Sequence, residues 1–133
     1  MNSKAVLCQS EVRRILAAAR AEAQNSQWPV TIVVVDDGGH PLALERLDGA
    51  APSSAYIATE KARTAALGRR ESKGYEDMIN GGRYAFLSAP LLTSLEGGVP
   101  VVFDGQVIGA VGVSGVKAEQ DAQVAKAGAQ CLN

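Results

Sequence analysis

The chemically active side chains of this 133-residue chain are few: one histidine, two cysteines and a scatter of acids and bases. His40 lies in Asp36-Asp37-Gly38-Gly39-His40-Pro41. An imidazole ordinarily titrates near neutrality, so it can move a proton or, when neutral, ligate a metal. In such a turn it either lines a pocket, one shared between subunits included, or bonds to local backbone. Glu45, Arg46 and Asp48 follow closely. Arginine's planar fork matches a ligand carboxylate, and solvated or intersubunit ion pairs are the plainer use. Lys61 faces inward by its spacing, either to snorkel or to pair with Glu60, Glu45 or a ligand carboxylate. Gly97-Gly98, after Glu96, and Ser114-Gly115, before the last helix, offer N–H groups to an anion. A tight turn explains the first pair equally well, and ordinary helix capping is the plainer use of the second. Arg69-Arg70 and Arg83-Tyr84 read as solvated or as subunit contacts.

Several chemistries are excluded. Cys8 and Cys131 lie near opposite ends without CxxC spacing, and one histidine cannot complete a tetrahedral zinc site with them unless a carboxylate joins. A buried or half-buried thiol is the expected state of each, not a disulfide. No Gly-x-Ser-x-Gly elbow accompanies His40, which removes the usual serine hydrolase scheme. Gly109, Gly112 and Gly115 do not form Gly-x-Gly-x-x-Gly, so a dinucleotide fingerprint is missing. A net charge of -1 without a basic run gives no nucleic-acid footprint. No apolar stretch approaches the roughly 20 residues of a membrane span. The opening residues MNSKAVLCQSEVRRIL lack a signal peptide's apolar core, and a cytoplasmic location is expected.

These residues need elements to hold them. Val12, Ile15, Leu16, Ala19 and Ala23 recur at helical spacing, with Ser3 or Ser10 as cap. Val30 to Val35 is a β-branched run expected to be a strand covered on both faces. The Asp36–Pro41 turn and a second strand, Leu42 to Leu47, complete a hairpin. Pro52-Ser53-Ser54 opens a second helix through Ile57, Ala58, Lys61, Ala62, Ala65 and Ala66, which Gly68 ends. Its alanine face is thin and demands a close neighbour. Ser72 to Asn80 reads as a short helix and Leu91 to Leu95 as a short strand. Asp104-Gly105 then joins Val99–Phe103 to Gln106–Val113 as a two-residue hairpin. Gly109 and Gly112 mark a close approach of a backbone, a helix or a ligand. Val116 to Cys131 forms the last helix, with Glu119 and Asp121 complementing its dipole. The order predicts one α+β domain over residues 1–133, a mostly antiparallel sheet covered by helices.

Together, Asp36-Asp37-Gly38-Gly39-His40-Pro41-Leu42, Thr59 to Ala66, Gly97 to Val101, Asp104 to Gly115 and Glu119-Gln120-Asp121 resemble the GlcG/HbpS family, which includes the C-terminal domain of PduO-type corrinoid adenosyltransferases. The likeness runs from about Leu7 to the C-terminus. It implies a PAS- or profilin-like domain with a five-stranded antiparallel sheet, and a homo-oligomer from dimer to octamer. For some members it implies bound haem. The adenosyltransferase activity itself is not implied, because the resemblance is to the C-terminal domain of those enzymes alone. The first expectation is therefore an oligomeric module, accessory to small-molecule catabolism, that holds haem or another tetrapyrrole near His40, with Arg46 and Lys61 taking its propionates. Two alternatives stay open. One is a small isomerase or lyase in which His40 moves protons while Arg46 or Lys61 polarises a carbonyl or carboxylate. The other is a structural accessory subunit.

Overall fold

A computed structural model describes residues 1–133. The chain starts with α1 (Gln9–Asn25), whose Val12, Ile15, Ala19 and Ala23 are buried as their spacing requires. Neither Ser3 nor Ser10 caps it: the Glu11 carboxylate reaches back 2.9 Å to accept the Cys8 N–H, so the helix starts at Gln9. β1 (Thr31–Asp36) and β2 (Pro41–Arg46) form the expected hairpin. Next come α2 (Ser53–Gly68), α3 (Lys73–Asn80) and a 3-10 turn at Tyr84–Ser88. β3 (Gly98–Phe103), β4 (Gln106–Ser114) and α4 (Ala118–Ala129) complete the chain. Asp104 and Gly105 both take positive φ, 52° and 72°, as a primed two-residue hairpin turn needs.

The strands form one antiparallel sheet in the order β2-β1-β4-β3. β1 is central and buried on both sides. Ile32 and Val34 face the core built with α1 and α4, while Val33 and Val35 face α2. Each buried Val or Ile contributes about 1.5–3 kcal/mol relative to an exposed one. The result is three layers: α1 and α4, the sheet, then α2.

The thin face of α2 meets the sheet where the sheet has no side chains. Gly98 and Gly112 sit opposite each other in register. A Cβ on Gly112 would lie 2.1 Å from the Ala58 carbonyl oxygen, and one on Gly98 would lie 2.1 Å from that of Lys61. Helix backbone thus rests directly on strand backbone, and alanine is what such an approach admits.

Four expectations need correction. The sheet has four strands, not five, because Leu91 to Leu95 is not a strand. Leu91 takes φ 61°, the Thr93 N–H donates to Thr64 Oγ1, and the Leu95 carbonyl accepts from Ser72 Oγ. Side chains from α2 and the start of α3 therefore satisfy backbone groups that a strand would have paired. At the end of α2 the left-handed residue is Arg69, φ 58°, not Gly68. Gly68 is small for another reason, since a Cβ there would meet the Tyr75 hydroxyl at 2.2 Å. The last helix spans Ala118–Ala129 and is shorter than Val116 to Cys131. The Val116 N–H donates instead to the Asp121 carboxylate. Both cysteines are free thiols, Cys131 half-buried as expected but Cys8 exposed, contrary to the expectation of burial, and no helix is long and apolar enough to cross a membrane.

Candidate functional site

His40 is placed by Asp36, the last residue of β1. The Asp36 carboxylate accepts the N–H groups of Gly38 and His40, each at 2.9 Å, which closes the turn. The same carboxylate stands 3.1 and 3.2 Å from His40 Nδ1. Burial works against ionising Asp36, but the two N–H groups and the imidazole outweigh it and hold its carboxyl below the usual range. An ionised carboxylate only accepts, so Nδ1 is the donor of this pair, and in the neutral ring that leaves the Nε2 lone pair for a ligand. The side chain is 79% exposed. No groove of the single chain includes it. Gly38 lets the ring fold back on the turn, because a Cβ there would press on Cε1 at 2.9 Å.

Cations surround this turn, most of them not singled out by the sequence. The Arg63 stem packs under Gly39, where a Cβ would lie 2.7 Å from Arg63 Cγ. Its guanidinium pairs with Glu60, while its Nε–H is buried without an acceptor. Leaving such a donor unpaired costs about 1–3 kcal/mol. Lys4 pairs with the Asp37 carboxylate. Arg69 donates to the Asp37 carbonyl oxygen at 2.9 Å and to that of Ala66 at 3.1 Å. Lys4 and Arg69 share a recess of about 380 Å³ with Gly105, Gln106 and Val107. Only the Arg69-Arg70 pair was visible as sequence. Lys4 and Arg69 are joined through Asp37, 33 and 32 residues away, and a local reading has no access to that.

Arg46 lies elsewhere. Val35 pairs with Pro41 and Thr31 with Arg46, so His40 and Arg46 mark opposite ends of β2. At about 3.3 Å per residue their backbones are roughly 20 Å apart, so the two do not line one pocket of the single chain. Arg46, Glu45, Asp48, Gln27 and Trp28 instead line an open groove of about 670 Å³. Glu45 is already bound by Arg20 through contacts of 2.5 and 2.9 Å. Arg20's hydrogen bonds pull the Glu45 carboxyl below its ordinary range, against the opposing effect of burial.

Lys61 does face inward, and its partner is Asp121. Nζ lies 3.1 Å from Asp121 Oδ2 and 3.0 Å from the Val113 carbonyl oxygen, with lysine and aspartate only 4% and 2% exposed. Burial pushes the Asp121 carboxyl upward, and Lys61 opposes it. Lys61 has no free face for a propionate. Gly97 and Gly98 are buried beside it. The Gly98 N–H donates to Ser72 Oγ at 2.8 Å, and the Gly97 carbonyl oxygen accepts the Val113 N–H. Ser114 ends β4 opposite Thr31, and Gly115, φ 147°, packs against Pro29. The helix starts three residues later, at Ala118. Neither glycine pair forms the open anion cradle that its sequence suggests.

Comparison with known proteins adds a context. A family model described as "Haem degrading protein HbpS-like" matches residues 7–130. Protein GlcG of Escherichia coli strain K12 is 66% identical over 114 residues, 86% of this chain and 85% of that protein. The crystal structure of HbpS superposes with a TM-score of 0.89 at 28% identity, covering 100% of this chain and 94% of the other. The crystal structure of a PduOC:heme complex gives 0.86 at 28% identity, covering 97% and 96%.

Proposed function

The chain belongs to the HbpS-like family, and from that premise we propose that it is a small-ligand-binding domain whose ligand is haem or a related tetrapyrrole, held through His40. The observation that carries this reading is the Asp36–His40 pair: a carboxylate fixes Nδ1 and leaves Nε2 free, the arrangement by which proteins orient a metal-ligating imidazole. No three His, Cys, Asp or Glu side chains converge to hold a bare metal ion. A lone histidine suits iron whose other in-plane ligands come from a macrocycle. The haem-bound structural neighbour is further support. When bound, haem would supply the iron chemistry. This chain's own residues would orient the ring and fix its tautomer.

Because the imidazole is 79% exposed, a macrocycle on it needs cover from outside this chain, and a second copy supplies that cover in our reading. An accessory role in small-molecule catabolism belongs to the same proposal. The test is titration with hemin followed by absorption. A Soret band that is lost or shifted in His40→Ala supports the reading, and an unchanged band in that variant removes His40 as ligand. Light scattering on the same samples checks the assembly. A monomer at micromolar concentration, with and without hemin, rejects cover by a second copy.

Arg46 favours one second reading. It is exposed, carries no ion pair and lines the widest groove, which suits a small carboxylate-bearing molecule. With the two backbones roughly 20 Å apart, the His40 of the same chain is not placed to serve as its general base. Thermal stabilisation by a panel of small organic acids, lost in Arg46→Ala, would establish that site.

A further inference from the structure

We infer that the ligand held at His40 carries carboxylates and that Arg69, together with Lys4, seats them in the recess beside the same turn. This rests on the His40 reading above. Three observations converge on it. First, the recess and the imidazole are anchored to one turn: Asp36 holds His40, and the next residue, Asp37, holds both Lys4 and Arg69. Second, Arg69 is exposed and its acceptors are two carbonyl oxygens, with no carboxylate paired to it. A guanidinium has five N–H donors, so several stay free for an incoming anion. Asp37 is the acid that touches these cations, and Lys4 already offsets it, which leaves one net positive charge. Third, the recess has room. Its far wall includes Gly105, where a Cβ would find nothing within 4 Å.

The other cations are placed less well. Lys61 is sealed against Asp121, Arg46 is at the far end of β2, and the Arg63 guanidinium is paired with Glu60. An arginine is also the better seat, because its fork engages a carboxylate with two parallel bonds.

The experiment compares hemin with its dimethyl ester, in which both propionates are neutral and the iron is unchanged. Wild-type protein should bind hemin about tenfold or more tightly than the ester, as expected for a charged hydrogen bond. In Arg69→Ala that preference should largely vanish while the Soret maximum stays in place, and Arg69→Lys should fall between. Equal affinity of the wild type for the two porphyrins overturns the inference, as does a preference that survives in Arg69→Ala. Either result leaves His40 as the ligand. Absence of any protein-induced Soret shift with either porphyrin overturns the His40 reading and this inference together.

Discussion

Lys61 of α2 and Asp121 of α4 form a buried ion pair, 3.1 Å from Nζ to Oδ2, that joins the helices on opposite faces of the sheet. Val113 closes the lysine's shell and Val116 the aspartate's, so the last residues of β4 and the entry to α4 are tied to α2 as well. Removing one partner leaves the other charged and buried. Lys61→Met and Asp121→Asn should each destabilise the fold by about 3–5 kcal/mol. The double variant Lys61→Met/Asp121→Asn should recover most of that loss, because no unpaired charge is left buried, and the side-chain amide oxygen still accepts the Val116 N–H. Urea denaturation with equal slopes checks this, and additive losses in the double variant would contradict the pairing.

Asp36 is the positioning residue for His40. Asp36→Asn keeps an acceptor for the Gly38 and His40 N–H groups but loses the charge that fixes Nδ1–H. Hemin affinity should drop about 10–100-fold with the Soret position retained. Circular dichroism should show the turn variant folded. Unchanged affinity would mean that the carboxylate serves only the turn.

Gly112 should not tolerate a methyl group. In Gly112→Ala the new Cβ meets the Ala58 carbonyl oxygen at 2.1 Å and the Ala62 nitrogen at 2.5 Å, both backbone atoms of α2. The helix must lift, at a cost of about 1–3 kcal/mol or more. Gly105→Ala is the control for space, since nothing lies within 4 Å of its Cβ, although its φ of 72° still strains alanine. A melting temperature for Gly112→Ala at or above that of wild type would refute direct contact between helix and strand backbones.

The acid limb of stability should carry the Arg20–Glu45 pair. Its hydrogen bonds lower the Glu45 carboxyl in the folded state from an ordinary 4.5, against the opposing effect of burial. A depressed acid stabilises the fold above its unfolded value, and that contribution disappears as pH falls through the folded value. Both side chains are about one-third exposed, so the pair is worth no more than about 1 kcal/mol. Glu45→Gln should be slightly less stable than wild type at pH 7 and indistinguishable from it well below pH 4, as read by denaturation at a series of pH values.

The sequence by itself determined most of the elements, the segment from Leu91 to Leu95 excepted, and the need of α2's alanine face for a close neighbour. A β-branched run from Val30 to Val35 has little choice but a doubly covered strand, Asp104-Gly105 encodes its own turn, and the alanines of α2 and Gly112 called for a close approach by a backbone, a helix or a ligand, which the structure resolves as helix backbone. Family membership was legible in the same motifs. Tertiary structure decided everything that depends on partners distant in the chain. It gave Lys61 to Asp121, sixty residues on, and used the Gly98 amide to bind Ser72. It also set His40 and Arg46 at opposite ends of one strand and replaced a fifth strand with side-chain hydrogen bonds. Propensity and periodicity act over one or two turns of chain. A charge or an unpaired amide takes whichever partner folding brings within about 3 Å, and no local pattern specifies which one that will be.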